Sequence, residues 1–346
     1  MFDRLVLTCL AAAVLICAQS ADAASGPPRE VPVAYASDVA LAGALILPGR
    51  LGRVPAVVIV HGSGASDRTN GWARAVAETI AQAGVAVLLT DKRGSGQSGG
   101  DWRTAGFDEL ADDALAGVRH LRARDDIDPD RIGLVGLSQG GRIVPIAAAR
   151  SSQVAFVVNI VGDAVSFGEQ SAHEMRNIAR QAGLDAERTR EVLALNSAAG
   201  RALLTGDWTE YGRLREQALT RPWAPIAQGF PPVGAPVWTF LGKVADFDPM
   251  PYWILVRQPV LVVYGEEDEQ DNVAVEESRR RLRFGFEQVG KTNYRIEVLP
   301  GVGHALGWTP AGGLGAAAAA AISNWLAATV VTADPRRDGD TPAQAE

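Results

Sequence analysis

The most regular feature of this chain is an alternation between short apolar runs and longer amphipathic segments. The runs Val54–Val60, Val85–Thr90 and Arg131–Leu137 consist mainly of aliphatic and β-branched residues. Continuous runs of this kind predict strands that are buried on both faces. Between them, as at Phe107–Arg122, apolar residues recur at helical spacing. The pattern therefore predicts βαβ units and a mostly parallel sheet flanked by helices, with right-handed crossovers.

Further segments extend this pattern towards both ends of the chain. Two apolar stretches on either side of Ser37 and Asp38 predict a β-hairpin before the first buried strand. A last helix is predicted from Leu314 to Ala328. Three later apolar runs predict further strands at Val154–Gly162, Pro259–Gly265 and Tyr294–Pro300.

The alternation stops between Asp163 and about Trp253, where charge-rich helical segments and a proline-rich aromatic stretch replace the apolar runs. We interpret this region as an α-helical cap inserted over the sheet, because two ordinary crossover helices need a shorter segment. The cap is expected to form part of a ligand pocket. After residues 1–23, which are discussed below, the predicted organisation is a core in two parts at 24–162 and 256–330, a cap at 163–255 and a disordered polar tail at 331–346.

Aromatic residues are frequent in the predicted cap. We expect each of them to pack in a core, with lining of the pocket as the alternative. They are Trp208, Tyr211, Trp223, Trp238 and Phe240.

The first residues have the composition of a targeting segment. Arg4 precedes an apolar run that is too short for a comfortable membrane span, and Ala21–Ala23 has the small residues of a cleavage site. We therefore predict a cleaved signal peptide at 1–23, with an N-terminal helix of the fold as the alternative. The mature protein is expected in the periplasm or outside the cell, without a stable membrane anchor. Both cysteines, Cys9 and Cys17, lie in this leader, so the mature chain would have no thiol for a disulfide or a zinc site.

Composition and charge exclude one class of function. The chain has 346 residues, of which 47% are hydrophobic and 21% charged, an ordinary globular composition that allows one large domain or two smaller ones. The formal net charge is −7 and no basic run is present. An acidic chain without a basic patch lacks the electrostatic footprint of a nucleic-acid-binding protein. The oligomeric state stays open.

Two stretches, Gly96–Gly100 and Gly136–Gly140, match the pattern G-x-S-x-G, which places a nucleophilic serine on a sharp turn. Such a turn needs a strand directly before the serine and a helix directly after it. Ser138 has a predicted strand before it and a possible helix after it, whereas Ser98 lies between two polar turns. The context predicts Ser138 as the nucleophile and Ser98 as part of a structural loop.

A serine hydroxyl needs a base that takes its proton, and the chain offers four histidines. His304 lies in a glycine-rich loop just after the last predicted strand, from which it can reach the edge of the sheet. His61 also follows a strand, but its glycine-rich neighbourhood favours a role in loop architecture. His120 lies in a predicted helix and His173 in the insertion. We therefore predict His304 as the base.

The imidazole in turn needs a carboxylate that fixes its orientation. In this architecture the acid lies between the serine and the histidine along the chain. The acidic run after the strand Pro259–Gly265 lies in that interval. Asp268 is the predicted acid, and Glu267 and Asp271 are the alternatives.

An oxyanion also needs two preorganised N–H donors. The main-chain N–H of Gln139 is the first candidate, because it lies at the start of the helix after the serine. The loop after Val54–Val60 supplies the second, for which we predict Ser63, with Gly64 as the alternative.

Together, the motifs "HGSGASDR", "DKRGSGQS", "GLSQGG", "YGEEDEQDNV" and "PGVGHAL" resemble the α/β-hydrolase superfamily. The resemblance extends from Val33 to Ala328, with the motifs in the family's order. It looks closest to the serine-esterase branch related to dienelactone hydrolases and prolyl-oligopeptidase-like hydrolases. In that branch a D-x-R-G-x-G-x-S loop commonly follows a strand, so the resemblance also assigns Ser98 to a structural loop. Ser138 excludes the dehalogenase and epoxide-hydrolase branches, which use aspartate.

The expected activity is hydrolysis of small-molecule carboxylic esters through an acyl-enzyme. Ser138 attacks, His304 takes the proton and Asp268 orients His304, while the N–H groups of Gln139 and Ser63 hold the oxyanion. This chemistry needs no metal and no organic cofactor. Peptidase, amidase or thioesterase activity on the same residues is the first alternative, and a non-catalytic binding protein on a hydrolase scaffold is the second.

Overall fold

The computed structural model of the chain describes residues 26–50 and 52–332. The predicted signal peptide at 1–23 and all but the first two residues of the predicted tail at 331–346 lie outside the described residues. Within the described ranges, no helix combines the length and the apolar character that a membrane span requires.

Eight strands form one twisted sheet in the order β1-β2-β4-β3-β5-β6-β7-β8. β1 pairs with β2 and β2 with β4 in antiparallel orientation, and all other neighbours are parallel. This arrangement confirms the predicted α/β fold and its mostly parallel sheet. The strands are β1 Arg29–Ala36, β2 Ala40–Leu47, β3 Val54–Val60, β4 Ala86–Thr90, β5 Ile127–Leu137, β6 Val157–Ile160, β7 Val260–Gly265 and β8 Tyr294–Leu299.

Helices cover both faces of the sheet. The described residues form α1 Gly71–Gln82, α2 Phe107–Arg122, α3 Gly140–Arg150, α4 Phe167–Gln181, α5 Ala186–Thr205, α6 Thr209–Ala218, α7 Ala224–Gln228, α8 Val237–Val244, α9 Met250–Trp253, α10 Val275–Gln288 and α11 Ala316–Leu326. Helices α1 and α11 pack on one face, and α2, α3 and α10 pack on the other.

The central strand β3 shows why the apolar runs were continuous rather than alternating. Its side chains Ala56, Val58 and Val60 enter the core on one face of the sheet. The intervening side chains Val57 and Ile59 enter the core on the opposite face. Because helices cover both faces, no position along this strand faces water, as the sequence pattern predicts for a buried parallel strand.

Helices α4 to α9 all lie between β6 and β7 in the sequence. Residues of α5 to α8 form a separate apolar cluster that contains Tyr211, Trp223 and Trp238. Trp208 packs against the same cluster, and Phe240 packs edge-on against Trp102 near the main core. The aromatic side chains of the predicted cap therefore serve packing, which was their expected role. The division of the chain into domains stays a prediction.

Three elements differ from the sequence-based expectation. Strand β5 begins at Ile127 instead of Arg131, because Ile127 pairs with Val54 across a register shift. Strand β6 is shorter than predicted and covers only Val157–Ile160. Helix α10 was not predicted at all, since its few buried apolar residues lie among many arginine and glutamate side chains.

Candidate active site

Ser138 occupies a sharp turn between the end of β5 and the start of α3. Its backbone has a φ of 52°, a left-handed conformation that is uncommon for a residue with a side chain. The N–H of Ser138 donates to the carbonyl of Ile160 at 2.9 Å, and its own carbonyl accepts from Gly141 at 2.8 Å. These bonds hold the strained turn in place, which is a feature of functional sites.

Two glycines after Ser138 permit a very close approach of α3 to the sheet. A Cβ atom added at Gly140 would lie 2.1 Å from the carbonyl oxygen of Val60. A Cβ atom added at Gly141 would lie 2.2 Å from Oδ1 of Asn159. Both distances are far below van der Waals contact, so only glycine fits at these positions. Glycine at these two positions therefore allows α3 to pack directly against the strand ends beside Ser138.

His304 and Asp268 meet Ser138 at the carboxyl edge of the sheet. The Nε2 atom of His304 lies 3.0 Å from Oγ of Ser138, and its Nδ1 atom lies 2.7 Å from Oδ2 of Asp268. Because a carboxylate only accepts, the ring proton lies on Nδ1, and Nε2 is free to accept from the serine hydroxyl. The structure thus brings together the three side chains predicted for the reaction.

Asp268 is completely buried in a short 3₁₀ turn directly after β7. Its Oδ1 atom also accepts from the N–H of Val273 at 3.3 Å, so both carboxylate oxygens have a donor. Glu267 and Asp271, the alternatives for the acid, are exposed. Burial and contact with His304 distinguish Asp268 from the other members of the acidic run.

Two further side chains restrict the ring of His304, and neither was predicted from the sequence. The ring of Trp72 lies with its centre 5.8 Å from that of His304. The amide nitrogen of Asn272 lies 3.4 Å from each ring nitrogen of His304. Trp72 lies in the first turn of α1 and Asn272 follows β7, so no local sequence pattern connects them with a histidine after β8.

The predicted oxyanion donors lie beside Ser138. Gln139 caps the N-terminus of α3, and Ser63 lines the same cleft as Ser138. Within the part of the chain that the structure describes, neither main-chain N–H donates to a protein acceptor. The backbone of Gly62, which precedes Ser63, packs against the serine, since a Cβ atom built there would lie 3.3 Å from Cβ of Ser138. Gly64, the alternative donor, has a φ of 76°.

A cleft of about 460 Å³ opens above Ser138 and His304. The helical insertion contributes Glu174 of α4 to its lining. This half-buried carboxylate forms no hydrogen bond or ion pair with another described residue, and burial together with the negative charge of Asp271 raises its pKa. The insertion thus borders the cleft, as expected, but it does so through a charged residue and not through the aromatic side chains considered above.

The side chains of the other three histidines contact groups other than Ser138, although His61 also borders the cleft. Buried His61 donates from Nε2 to the carbonyl of Thr90 at 2.7 Å, and its Nδ1 accepts from the hydroxyl of Ser66 at 3.1 Å. Burial lowers the pKa of His61 to about 4, so the ring is neutral and serves as a brace between loops. His173 donates to the carbonyl of Glu269 at 2.9 Å, and His120 packs against a tyrosine ring.

Ser98, in the second G-x-S-x-G stretch, has a structural environment. Its Oγ atom donates to the carbonyl of Asp91 at 2.7 Å and accepts from the N–H of Ala42 at 2.9 Å. The hydroxyl thereby fastens the loop after β4 to β2. Both hydrogen bonds agree with the predicted role of Ser98 in loop architecture.

The described residues contain no group of three or more histidine, cysteine, aspartate or glutamate side chains arranged to hold a metal ion.

Comparison with curated proteins finds similarity over part of the chain. The quorum-quenching protein AidA of Acinetobacter baumannii is 32% identical over 124 residues, which are 36% of this chain and 40% of that protein. The thiohydrolase aneE of Aspergillus aculeatus is 33% identical over 108 residues, or 31% and 33% of the two chains. The esterase EstD of Thermotoga maritima is 32% identical over 116 residues, or 32% and 28%. Each match spans less than half of the relative.

Comparison with solved structures covers most of the chain. The Pyrococcus furiosus esterase Pf2001 superposes with a TM-score of 0.56 at 18% identity, over 88% of this chain and 92% of that one. Est1E of Butyrivibrio proteoclasticus superposes with a TM-score of 0.54 at 16% identity, over 87% and 99%. At these identities the likeness concerns the fold. A sequence model described as the alpha/beta hydrolase family matches residues 57–338, and the chain therefore belongs to that family.

Proposed function

We propose that this protein is a serine hydrolase that cleaves carboxylic esters through an acyl-enzyme intermediate. One observation carries the proposal: a continuous chain of contacts leads from Ser138 through His304 to Asp268, at 3.0 Å and 2.7 Å. A nucleophile, a base and an orienting carboxylate in this order are the arrangement that acyl transfer requires.

The first half of the reaction forms the acyl-enzyme. Oγ of Ser138 attacks the ester carbonyl carbon while Nε2 of His304 takes the hydroxyl proton, and buried Asp268 stabilises the resulting imidazolium. The carbonyl oxygen becomes an oxyanion that accepts from the N–H groups of Gln139 and Ser63. When the intermediate collapses, the bond to the alkoxide oxygen breaks, and His304 gives its proton to the departing alcohol.

The second half releases the acid. Water takes the place of the alcohol, His304 removes one of its protons, and the oxygen attacks the acyl carbon. Collapse of the second tetrahedral intermediate breaks the bond to Oγ of Ser138, which regains a proton from His304. The N-terminus of α3, directly after Ser138, favours the negative charge that develops in both intermediates. This cycle needs no metal and no organic cofactor.

Esters are the preferred substrate class in this proposal because two of the similar proteins, EstD and Pf2001, are named esterases, and ferulic acid is bound in a structure of Est1E. The name of aneE, a thiohydrolase, favours thioesters as the second candidate on the same residues. Membership of the branch related to dienelactone hydrolases and prolyl-oligopeptidase-like hydrolases is likewise part of the proposal.

Export is a separate part of the proposal, supported by the composition of residues 1–23. We expect the mature protein to begin after Ala23 and to occur in the periplasm or outside the cell. N-terminal sequencing of protein recovered from the periplasmic and culture fractions tests this expectation. Recovery only from the cytoplasm, with residues 1–23 still attached, would contradict it.

A substrate panel tests the proposed activity. Esters of several acyl lengths, thioesters and aminoacyl amides are offered to the wild-type protein and to the Ser138→Ala and Ser98→Ala variants. We expect turnover of esters by the wild type and by Ser98→Ala, and none by Ser138→Ala beyond background. Ester turnover that survives in Ser138→Ala but is lost in Ser98→Ala would overturn the assignment, and amide or thioester turnover without ester turnover would change the substrate class.

A further inference from the structure

Lys92 is a buried lysine that lies beside the proposed oxyanion site. It follows β4 in the loop that also contains Ser98, and only 7% of its surface is exposed. Its Nζ atom donates to the carbonyl of Gly62 at 2.9 Å and to Oε1 of Gln139 at 3.2 Å. The ammonium group also lies 5.5 Å from the centre of the Trp102 ring.

The charge of Lys92 has no carboxylate partner among the described residues. The carboxylates and guanidinium groups nearby are already paired, since Asp91 binds Arg68 and Arg93 binds Asp113. His61, which is close to Lys92, is neutral. Burial lowers the pKa of Lys92 to about 8, so the side chain is mostly cationic at neutral pH. A buried cation without a counter-charge costs folding free energy, and its presence calls for an explanation.

Both hydrogen-bond acceptors of Lys92 are close in the chain to the proposed oxyanion donors, which are the main-chain N–H groups of Ser63 and Gln139. The carbonyl of Gly62 and the N–H of Ser63 form one planar peptide unit, in which the two groups point in opposite directions. A carbonyl held towards Lys92 therefore fixes the Ser63 N–H on the other side of the peptide. The same peptide packs against Ser138. Gln139, the second acceptor, supplies the other proposed donor from its main chain.

We propose that Lys92 is a positioning residue of the oxyanion site, which orients the Gly62–Ser63 peptide and Gln139 and strengthens the donors through its positive charge. The inference rests on the proposed function of Ser138. A cation bound to a peptide carbonyl polarises that peptide and makes its N–H a better donor. A preorganised charge of this kind favours a developing oxyanion over the neutral substrate.

This role predicts opposite effects on activity and stability. Removing the charge weakens a stabilisation that exists only in the transition state, so kcat and kcat/KM should fall together while KM changes little. Removing an unpaired buried charge also relieves a folding cost, while Gly62 and Gln139 are partly exposed and water can satisfy them. A merely structural lysine would show the reverse, a loss of stability with activity per folded molecule retained.

The test compares Lys92→Met with Lys291→Met. Lys291 is a matched control because burial also lowers its pKa to about 8, and because it donates to a main-chain carbonyl beside an aromatic ring. It precedes β8 and so lies at the opposite edge of the sheet from Ser138. Lys92→Gln, which removes the charge but keeps a donor, provides the second variant. Hydrolysis of p-nitrophenyl acetate gives kcat and KM, and thermal unfolding gives Tm.

We expect both Lys92 variants to lose about 10- to 100-fold in kcat, with a Tm no lower than that of the wild type, and Lys291→Met to keep the wild-type kcat. A kcat within twofold of the wild type in the Lys92 variants would overturn the proposal. A Tm that falls together with kcat would also overturn it, in favour of a structural role. A wild-type protein inert towards all esters would instead overturn the proposed function, and this inference with it.

Discussion

The Oδ2 atom of Asp268 lies 2.7 Å from Nδ1 of His304, while the exposed carboxylate of Asp271 lies three residues further along the chain. We predict that Asp268→Asn lowers kcat by about three orders of magnitude or more, because an amide can impose the wrong tautomer on the ring and cannot stabilise the imidazolium. Steady-state ester hydrolysis measures this loss. Asp271→Asn is the matched control and should keep kcat within about twofold. Loss of activity in Asp271→Asn but not in Asp268→Asn would show that Asp271, and not Asp268, is the acid.

Alanine substitution of Ser98 and of Ser138 should have different effects on stability, which distinguishes the two G-x-S-x-G stretches. The substitution removes the partner of the Ala42 N–H and of the Asp91 carbonyl. We expect the free energy of unfolding in urea to fall by about 1–3 kcal/mol, while kcat of the folded protein is unchanged. Ser138→Ala should do the opposite, with activity lost and the free energy of unfolding not reduced. Unchanged stability together with lost activity in Ser98→Ala would refute this account of Ser98.

Because His61 is buried and neutral, we predict that the folded protein loses stability in mild acid. Burial lowers its folded-state pKa to about 4, below its ordinary value of 6.5. Between these values the unfolded chain binds a proton that the folded protein does not, so stability falls as the pH drops from about 6.5 towards 4. The contribution of His61 is at most about 3 kcal/mol.

Urea unfolding at several pH values, compared between the wild type and His61→Gln, measures this contribution. The variant should show a smaller decrease in the free energy of unfolding over the same interval. Titration of the His61 ring by NMR provides an independent readout that does not depend on the variant. A ring that becomes protonated near pH 6.5 in the folded protein would be inconsistent with its buried, neutral state.

Glu174 should influence the pH dependence of the reaction. Its half-buried carboxylate faces the cleft without a partner among the described residues, and it attracts the positive charge of a protonated His304. Glu174→Gln removes that attraction, so we expect the acid limb of kcat/KM to move to lower pH. Glu169→Gln, on the same helix but exposed and paired with Arg281, should leave the limb in place. Identical limbs in all three proteins would show that Glu174 does not act on His304.

The sequence predicts the sheet well because both faces of its central strands are buried. Val54–Val60 could be assigned as a strand from its continuous apolar character, and the position of Ser138 after such a strand identified the turn with a φ of 52°. The sequence predicted Asp268 as the acid within the acidic run after β7 but left Glu267 and Asp271 as alternatives, and only its burial against His304 distinguishes it. In contrast, α10 could not be predicted from apolar periodicity. Most of its residues are charged and form ion pairs such as that between Arg281 and Glu277, so it lacks a wide apolar face.

Contacts made between loops could not be predicted in the same way. Trp72, Asn272 and Glu174 meet His304 or its cleft only because the sheet brings the ends of different strands together. In the sequence, Lys92 is a charged residue in a predicted turn, and nothing there indicates burial. Its position beside Gly62 depends on the packing of two loops. Side chains whose roles depend on such distant contacts carry no periodic signal along the chain.

Covalent labelling tests the central claim most directly. A fluorophosphonate reacts with an activated serine, and mass spectrometry of the digested protein identifies the residue that carries the adduct. We predict one adduct on Ser138 in the wild type and in Ser98→Ala, no adduct in Ser138→Ala, and slower labelling at low pH, where His304 is protonated. An adduct on Ser98, or labelling that persists in Ser138→Ala, would contradict the assignment of Ser138 as the nucleophile.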